Sequence, residues 1–159
     1  MTTVFERHDH GACANAALAR AEQVAAAEGL RLTPVRRRVL EILLEQHRAL
    51  GAYEVLERLA AEGLGKQPPV AYRALDFLVE HGLAHRIQRL NAFTACQHHH
   101  PEGAAPVFLI CRNCQTVAEI DAAGLRTDLA ALGAGAGFAV ERTTIEALGL
   151  CAACARGVA

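Results

Sequence analysis

PPVAYRALDFLVEHGLAHRIQRLNAFTAC, residues 68–96, is the stretch that decides the fold. Lys66-Gln67-Pro68-Pro69 is a turn, and proline suits a first helical turn because its φ is already fixed and its missing N–H would have had no helical partner there. Leu75, Leu78 and Val79 recur at helical spacing and face inward, and Gly82 closes the helix. Leu83 to Gln88 and Ala92 to Cys96 then read as two short strands around Arg89-Leu90-Asn91. A hairpin therefore follows a helix directly.

Upstream, Thr33-Pro34 is a helix start, with Thr33 as N-cap. Val35, Val39, Leu40, Leu43 and Leu44 form one apolar face, and that helix runs to about Gln46. Ala52 to Ala61 fits another helix, with Val55, Leu56 and Leu59 as its buried stripe and Gly63 as its stop. Ala14 to Glu28 is Ala-rich and helical, and Gly29 ends it. Residues 1–13 carry no usable periodicity and read as a flexible tail. Short helices followed by a β-hairpin make a winged helix, a variant of helix-turn-helix, over residues 14–96.

Downstream the character changes. Three consecutive histidines and a Pro/Gly/Ala stretch make residues 97–105 a hinge or loop. Val107 to Ile110 and Val117 to Ile120 read as strands, Ala122 to Leu132 as a helix, Gly133 to Gly137 as a loop and Phe138 to Leu148 as a third strand. The expected class is α+β, an N-terminal winged helix plus a small α/β unit at residues 106–159.

The chain has 159 residues, 52% of them hydrophobic and 21% charged, with 16 basic against 17 acidic groups. That composition excludes disorder and allows one domain or two small ones. No apolar run reaches the ~18 residues of a membrane span, and the start has no signal-peptide core, so a soluble cytoplasmic protein with no membrane partner is expected. Near-neutrality counts against a nucleic-acid partner only as an average. Residues 1–90 hold 12 basic and 11 acidic groups and residues 91–159 hold 4 and 6, while Arg36, Arg37 and Arg38 are consecutive and Arg73, Arg86 and Arg89 fall in the helix and hairpin quoted above. Phosphate contacts need local patches of this kind.

Six cysteines in a cytoplasmic-looking chain point to metal ligands or catalytic thiols before disulfides. Cys111-x-x-Cys114 and Cys151-x-x-Cys154 are two knuckles separated by 36 residues, each following an expected strand. Four thiolates close a tetrahedron around Zn²⁺ and leave no open position. A redox CxxC normally opens a helix and has no matching second pair; that reading and packed free thiols are the alternatives. His85, Cys96, His98, His99, His100 and Glu119 are further ligand candidates. Singly, each has an ordinary role as a strand, loop or surface residue. Together, a thiolate, imidazoles and a carboxylate at a domain junction form a plausible second Zn²⁺ site, and the cysteine favours zinc over manganese or magnesium. His8, His10 and Cys13 are a weaker third cluster, because a mobile tail rarely preorganises a site, and His47 and His81 read as helix-end residues.

LTPVRRRVL, PPVAYRALDFLVEHGLAHR and the paired CxxC resemble the ferric uptake regulator family, and PPVAYRALDFL with Cys96 is similar to its zinc-sensing branch. The resemblance spans roughly residues 17–155. It implies a dimeric, metal-responsive transcriptional repressor, not an enzyme, that binds palindromic double-stranded operator DNA and controls zinc uptake and homeostasis genes. Its cofactors are two Zn²⁺ per chain, one structural and one regulatory, and it takes no small-molecule substrate beyond the metal. Carried over by position, the structural zinc falls on Cys111, Cys114, Cys151 and Cys154, and the regulatory zinc on His85, Cys96 and Glu119. Zinc-sensing relatives place a fourth histidine in the loop before the first CxxC, where this chain has Gly103-Ala104-Ala105, so His98 or His100 must substitute. Tyr72, Arg73 and Tyr53 match DNA-contacting positions, and Arg36 to Arg38 supply phosphate contacts or pair with Glu41 and Glu45. An iron or peroxide sensor of the same family and a zinc-ribbon or thiol-redox protein are the competing functions.

Overall fold

The computed structural model describes residues 5, 9–97 and 106–157. Four helices come first: α1 (His10–Ala27), α2 (Pro34–Leu44), α3 (Ala52–Ala61) and α4 (Pro68–Glu80). The hairpin β1 (Ala84–Ile87) and β2 (Ala92–Ala95) follows, in register Ala84 to Ala95 and Ile87 to Ala92. Its turn is made possible by Asn91, whose φ of 46° lies in the left-handed region that asparagine tolerates.

The winged helix is held by one apolar cluster. Val39, Leu40, Ile42 and Leu43 of α2 meet Val55 and Leu59 of α3 and Ala71, Leu75 and Leu78 of α4, all buried. At about 1.5–3 kcal/mol for each fully buried large aliphatic side chain, this cluster dominates the unit's stability. Thr33 caps α2 as its sequence requires, its Oγ1 accepting from the Arg36 backbone N–H at 3.4 Å.

The first helix starts earlier than its apolar pattern indicates. It begins at His10 rather than Ala14, because the Asp9 carboxylate accepts the Ala12 N–H at 3.0 Å and caps the first turn. Residues 10–13 are thus helical rather than tail. Ala17, Ala21 and Ala25 are its buried residues, so α1 lies close on its neighbours through small side chains.

The second unit is a three-stranded sheet in the order β4-β3-β5, with β3 (Pro106–Cys111) central, antiparallel to β4 (Val117–Asp121) and parallel to β5 (Ile145–Gly149). A parallel pair needs a crossover, which α5 (Ala123–Gly135) supplies; a short α6 (Ala152–Ala155) follows β5. Two expectations are corrected here. The helix runs through most of the Gly-Ala stretch, and residues 138–144 are not strand. Gly137, at φ +72°, reverses the chain at the helix end, while Phe138 N–H donates to the Gly133 carbonyl at 2.8 Å and Gly137 N–H to that of Ala134 at 3.0 Å. This Schellman closure uses the backbone groups that an earlier strand would have needed.

The units are joined through a second core, in which Ala49, Ile87 and Ala92 of the winged helix pack with Phe108, Ile110 and Val117 of the sheet. Glu146 of β5 also accepts the backbone N–H groups of Gln88 (2.6 Å) and Arg89 (2.9 Å), holding the hairpin turn. Among the described residues, no helix is long and apolar enough to cross a membrane.

Candidate functional site

The four knuckle cysteines come together. Their sulfurs all lie within 4.8 Å of one another, with Cys114 and Cys151 at 3.9 Å. Zn–S bonds of about 2.3 Å in a tetrahedron place sulfurs about 3.8 Å apart. The local fold explains the approach. After β3 the chain turns through Gln115 at φ 60°, with Cys111 N–H bonded to the Thr116 carbonyl at 3.0 Å, and Arg112 N–H bonds the Gly149 carbonyl at 2.9 Å, bringing the end of β5 alongside. Cys151 then caps α6 and donates its N–H to Cys111 Sγ at 3.4 Å.

Burial opposes a charged Cys111, but the N–H groups of Cys151, Cys114 and Asn113 outweigh it and bring the thiol down to about 6. At Cys154 the Asn113 amide favours the thiolate, while burial and the three neighbouring thiols prevail and raise it to about 11. Four sulfurs this close cannot all be anionic without a countercharge. A divalent cation supplies it, and the donor set fits zinc.

His85 of β1, Cys96 beyond β2 and Glu119 of β4 form the second cluster, again with all ligand atoms within 4.8 Å. His85 Nε2 lies 2.9 Å from Glu119 Oε1, and the Glu119 side chain is only 2% exposed. A nitrogen and a carboxylate oxygen attract at that distance only with a proton or a cation between them. The His85 ring also packs against Phe108, with centroids 5.2 Å apart, which limits its swing. One imidazole, one thiolate and one buried carboxylate suit Zn²⁺ better than a hard cation. Both fourth-ligand candidates, His98 and His100, lie outside the described residues, as does most of the hinge.

Tyr53 of α3 is 62% exposed and Tyr72 of α4 41%, with Arg73 exposed beside it. The arginine run is more occupied. Arg36 stacks its guanidinium 3.6 Å above the Phe77 ring and donates to the Arg31 carbonyl at 2.9 Å. Arg37 pairs with Glu22 and, at 3.0 Å, with Glu41. Arg38 is held by Glu62, Glu45 and Glu41, and the Glu62 bond, above all, strengthens its charged form.

Two residues near the second cluster have no signal in the sequence. Gln97 N–H donates to Glu119 Oε2 at 3.0 Å, and Gln97 Nε2 lies 2.9 Å from His47 Nδ1. His47, expected as a helix-end residue, thus has ring partners on two elements. His10 pairs with His47 at 3.0 Å; of the expected tail cluster, His8 lies outside the described residues.

The ferric uptake regulator family model matches residues 27–148, across both units. The chain belongs to the ferric uptake regulator family. Within it, the chain is 39% identical over 137 residues to the zinc uptake regulation protein of Escherichia coli (strain K12), covering 86% of this chain and 80% of the relative. A structure described as zinc uptake regulator complexed with zinc and DNA superposes with a TM-score of 0.84 at 37% identity, over 91% of this chain and 96% of that one. Holo XcZur gives 0.79 at 36% identity, over 89% and 99%, whereas apo XcZur gives 0.51 at 39% identity, over 89% and 97%. Sequence likeness to the last two is nearly equal, so the gap is one of conformation. Over the whole chain the superposition is closer to the holo structure than to the apo one.

Proposed function

We propose that the chain is a zinc-responsive transcriptional repressor, one of the family's regulators and not an enzyme, that binds palindromic operator DNA as a homodimer in the cytoplasm and holds two Zn²⁺ per chain. The observation that carries this reading is the convergence of His85 and Cys96, from the winged helix, with Glu119, from the sheet. A metal there supplies the positive charge that three donors from two units share. The protein's own groups do the rest. Glu119 draws β4 toward the hairpin base, His85 is kept in place by Phe108, and α4 is thereby held at one angle to the sheet. Similarity to the holo form rather than the apo form supports this coupling.

At the DNA, Arg73 can donate two hydrogen bonds to guanine, and Tyr72 and Tyr53 can pack on thymine methyls. Arg36 and Arg37 reach phosphates from α2, Arg37 by exchanging Glu22 or Glu41 for the backbone.

A second copy would cover what the protomer leaves exposed. Leu125, Leu129 and Leu132 of α5, Phe138, Leu148 and Leu150 are all exposed large apolar residues, and β5 is the outer strand of its sheet among the described residues. To meet a palindrome, pairing through this face has to set the two α4 helices about 34 Å apart, one DNA turn.

The test is zinc content and operator affinity for wild type and Cys96→Ser. The expected result is two zincs falling to one, with an intact dimer and operator binding weakened about 5–150-fold in zinc. Full affinity and two zincs in the variant would overturn the assignment.

A further inference from the structure

Gln97 bonds to three separate elements. Its N–H holds Glu119 Oε2 of β4 at 3.0 Å, its carbonyl accepts from Arg20 Nη2 of α1 at 2.5 Å, and its side-chain amide meets His47 Nδ1, in the connector after α2, at 2.9 Å. From His47 the chain of bonds continues to His10 Nδ1 at 3.0 Å, and His10 Nε2 reaches the Glu45 carbonyl at 2.7 Å.

The protons in this chain have one consistent arrangement with both rings neutral. A carbonyl only accepts, so His10 Nε2 carries the hydrogen toward Glu45. His10 Nδ1 then accepts from His47 Nε2–H, and His47 Nδ1 accepts from the Gln97 amide N–H. The bonds from Gln97 to His47 and from His47 to His10 point away from the metal cluster toward the start of α1, and the last runs on to the Glu45 carbonyl at the end of α2. The side chains involved line a small pocket closed by Leu43, Leu44 and Thr94, which partly shields them from water.

We infer that Gln97 is a positioning residue that transmits occupancy of the His85/Cys96/Glu119 site to α1 and to the α2–α3 connector. The inference rests on the regulatory role assigned to that site. Its physical basis is that Gln97 is the next residue after the ligand Cys96 and bonds a second ligand, Glu119, through its backbone. Fixing those two ligands fixes the Gln97 backbone, and the carbonyl and side chain then hold Arg20 and His47. Helix α1 is tied at both its first turn and its middle, and its Ala17 and Ala21 belong to the same apolar cluster as Ala71, Leu75 and Leu78 of α4.

Gln97→Ala separates this role from metal binding, because the bond to Glu119 comes from the main chain and survives. In the full-length dimer, zinc content should stay at two per chain and the melting temperature should change little. Operator affinity in saturating zinc should fall about tenfold, and the gain in zinc affinity caused by operator DNA should shrink by the same factor, as linkage demands. Zinc-dependent slowing of amide exchange in the first turn of α1 should disappear. His47→Ala should reproduce the effect, and the double variant should add little to either. Undiminished zinc–operator coupling in Gln97→Ala, or fully additive losses in the double variant, would overturn the proposal. Loss of a zinc from Gln97→Ala would also overturn it, by making Gln97 part of the metal site; failure of the regulatory assignment itself would instead appear as two zincs in Cys96→Ser.

Discussion

Val117 donates its backbone N–H to the carbonyl of His47 at 2.8 Å. Next to it, Arg48 and Thr116 form an isolated antiparallel bridge, and the Cys114 thiol donates to Thr116 Oγ1 at 3.3 Å. The strand that leaves the first cysteine knuckle is therefore bonded to the connector between α2 and α3. The four-cysteine site and the winged helix share a backbone seam.

Cys111→Ser should unfold the sheet unit and leave α2–α4 folded but loosely attached. Structural zinc contributes about 10–16 kcal/mol in small zinc domains, comparable to the ~5–15 kcal/mol that holds a whole domain. The winged helix keeps its own core of Val39, Leu59, Leu75 and Leu78. Calorimetry should resolve two transitions where the wild type shows one, and a strong chelator should produce the same profile.

Arg73→Ala should weaken operator binding by about 1–3 kcal/mol and relax preference at one guanine. Arg38→Ala should behave differently, since its guanidinium is engaged with Glu62 and Glu45. Fluorescence anisotropy on operator variants will separate them: a loss of base discrimination for Arg73, and unchanged discrimination for Arg38.

Glu54 makes part of the fold's stability depend on acid. Its carboxyl is held below the usual value of 4.5 chiefly by the Gly51 N–H at the start of α3, with Arg48 also contributing. A depressed carboxyl stabilises the fold fully above its unfolded value, and that contribution is lost as pH falls through the folded one. Glu54→Gln retains the capping geometry and should flatten this part of the acid limb, whereas Glu54→Ala should cost about 0.5–1 kcal/mol at pH 7. Urea unfolding between pH 3 and 7 measures both.

Leu129→Asp and Leu132→Asp on the exposed face of α5 should dissociate the proposed dimer while leaving the protomer folded, because Leu132 is 72% exposed and Leu129 38%. Sedimentation velocity should report the monomer, with both zincs retained.

Much of the fold was legible because local chemistry and tertiary packing agree. Thr33-Pro34 starts α2, the two prolines open α4, and each CxxC pair follows a strand as its spacing predicts. The early start of α1 was hidden because its signal is a single capping aspartate, Asp9, and not apolar periodicity. Residues 138–144 alternate like a strand, yet the Phe138 N–H is taken up by the closure of α5 and pairing with β3 begins only at Ile145. Gln97 and His47 escaped for a different reason: their bonds link positions far apart in sequence, and neither amide nor imidazole spacing encodes that meeting.

The parallel pairing of β5 with β3 also has a consequence for biosynthesis. The winged helix is complete once Ala95 has been made, but the first knuckle must wait for Cys151 and Cys154. At the ~5–20 residues per second of translation, that is a delay of roughly 3–12 s. During it the nascent chain carries a folded winged helix whose sheet unit still lacks β5 and the second cysteine pair. Closure of the sheet unit by the second pair of thiols is thus the last folding event that the order of synthesis allows.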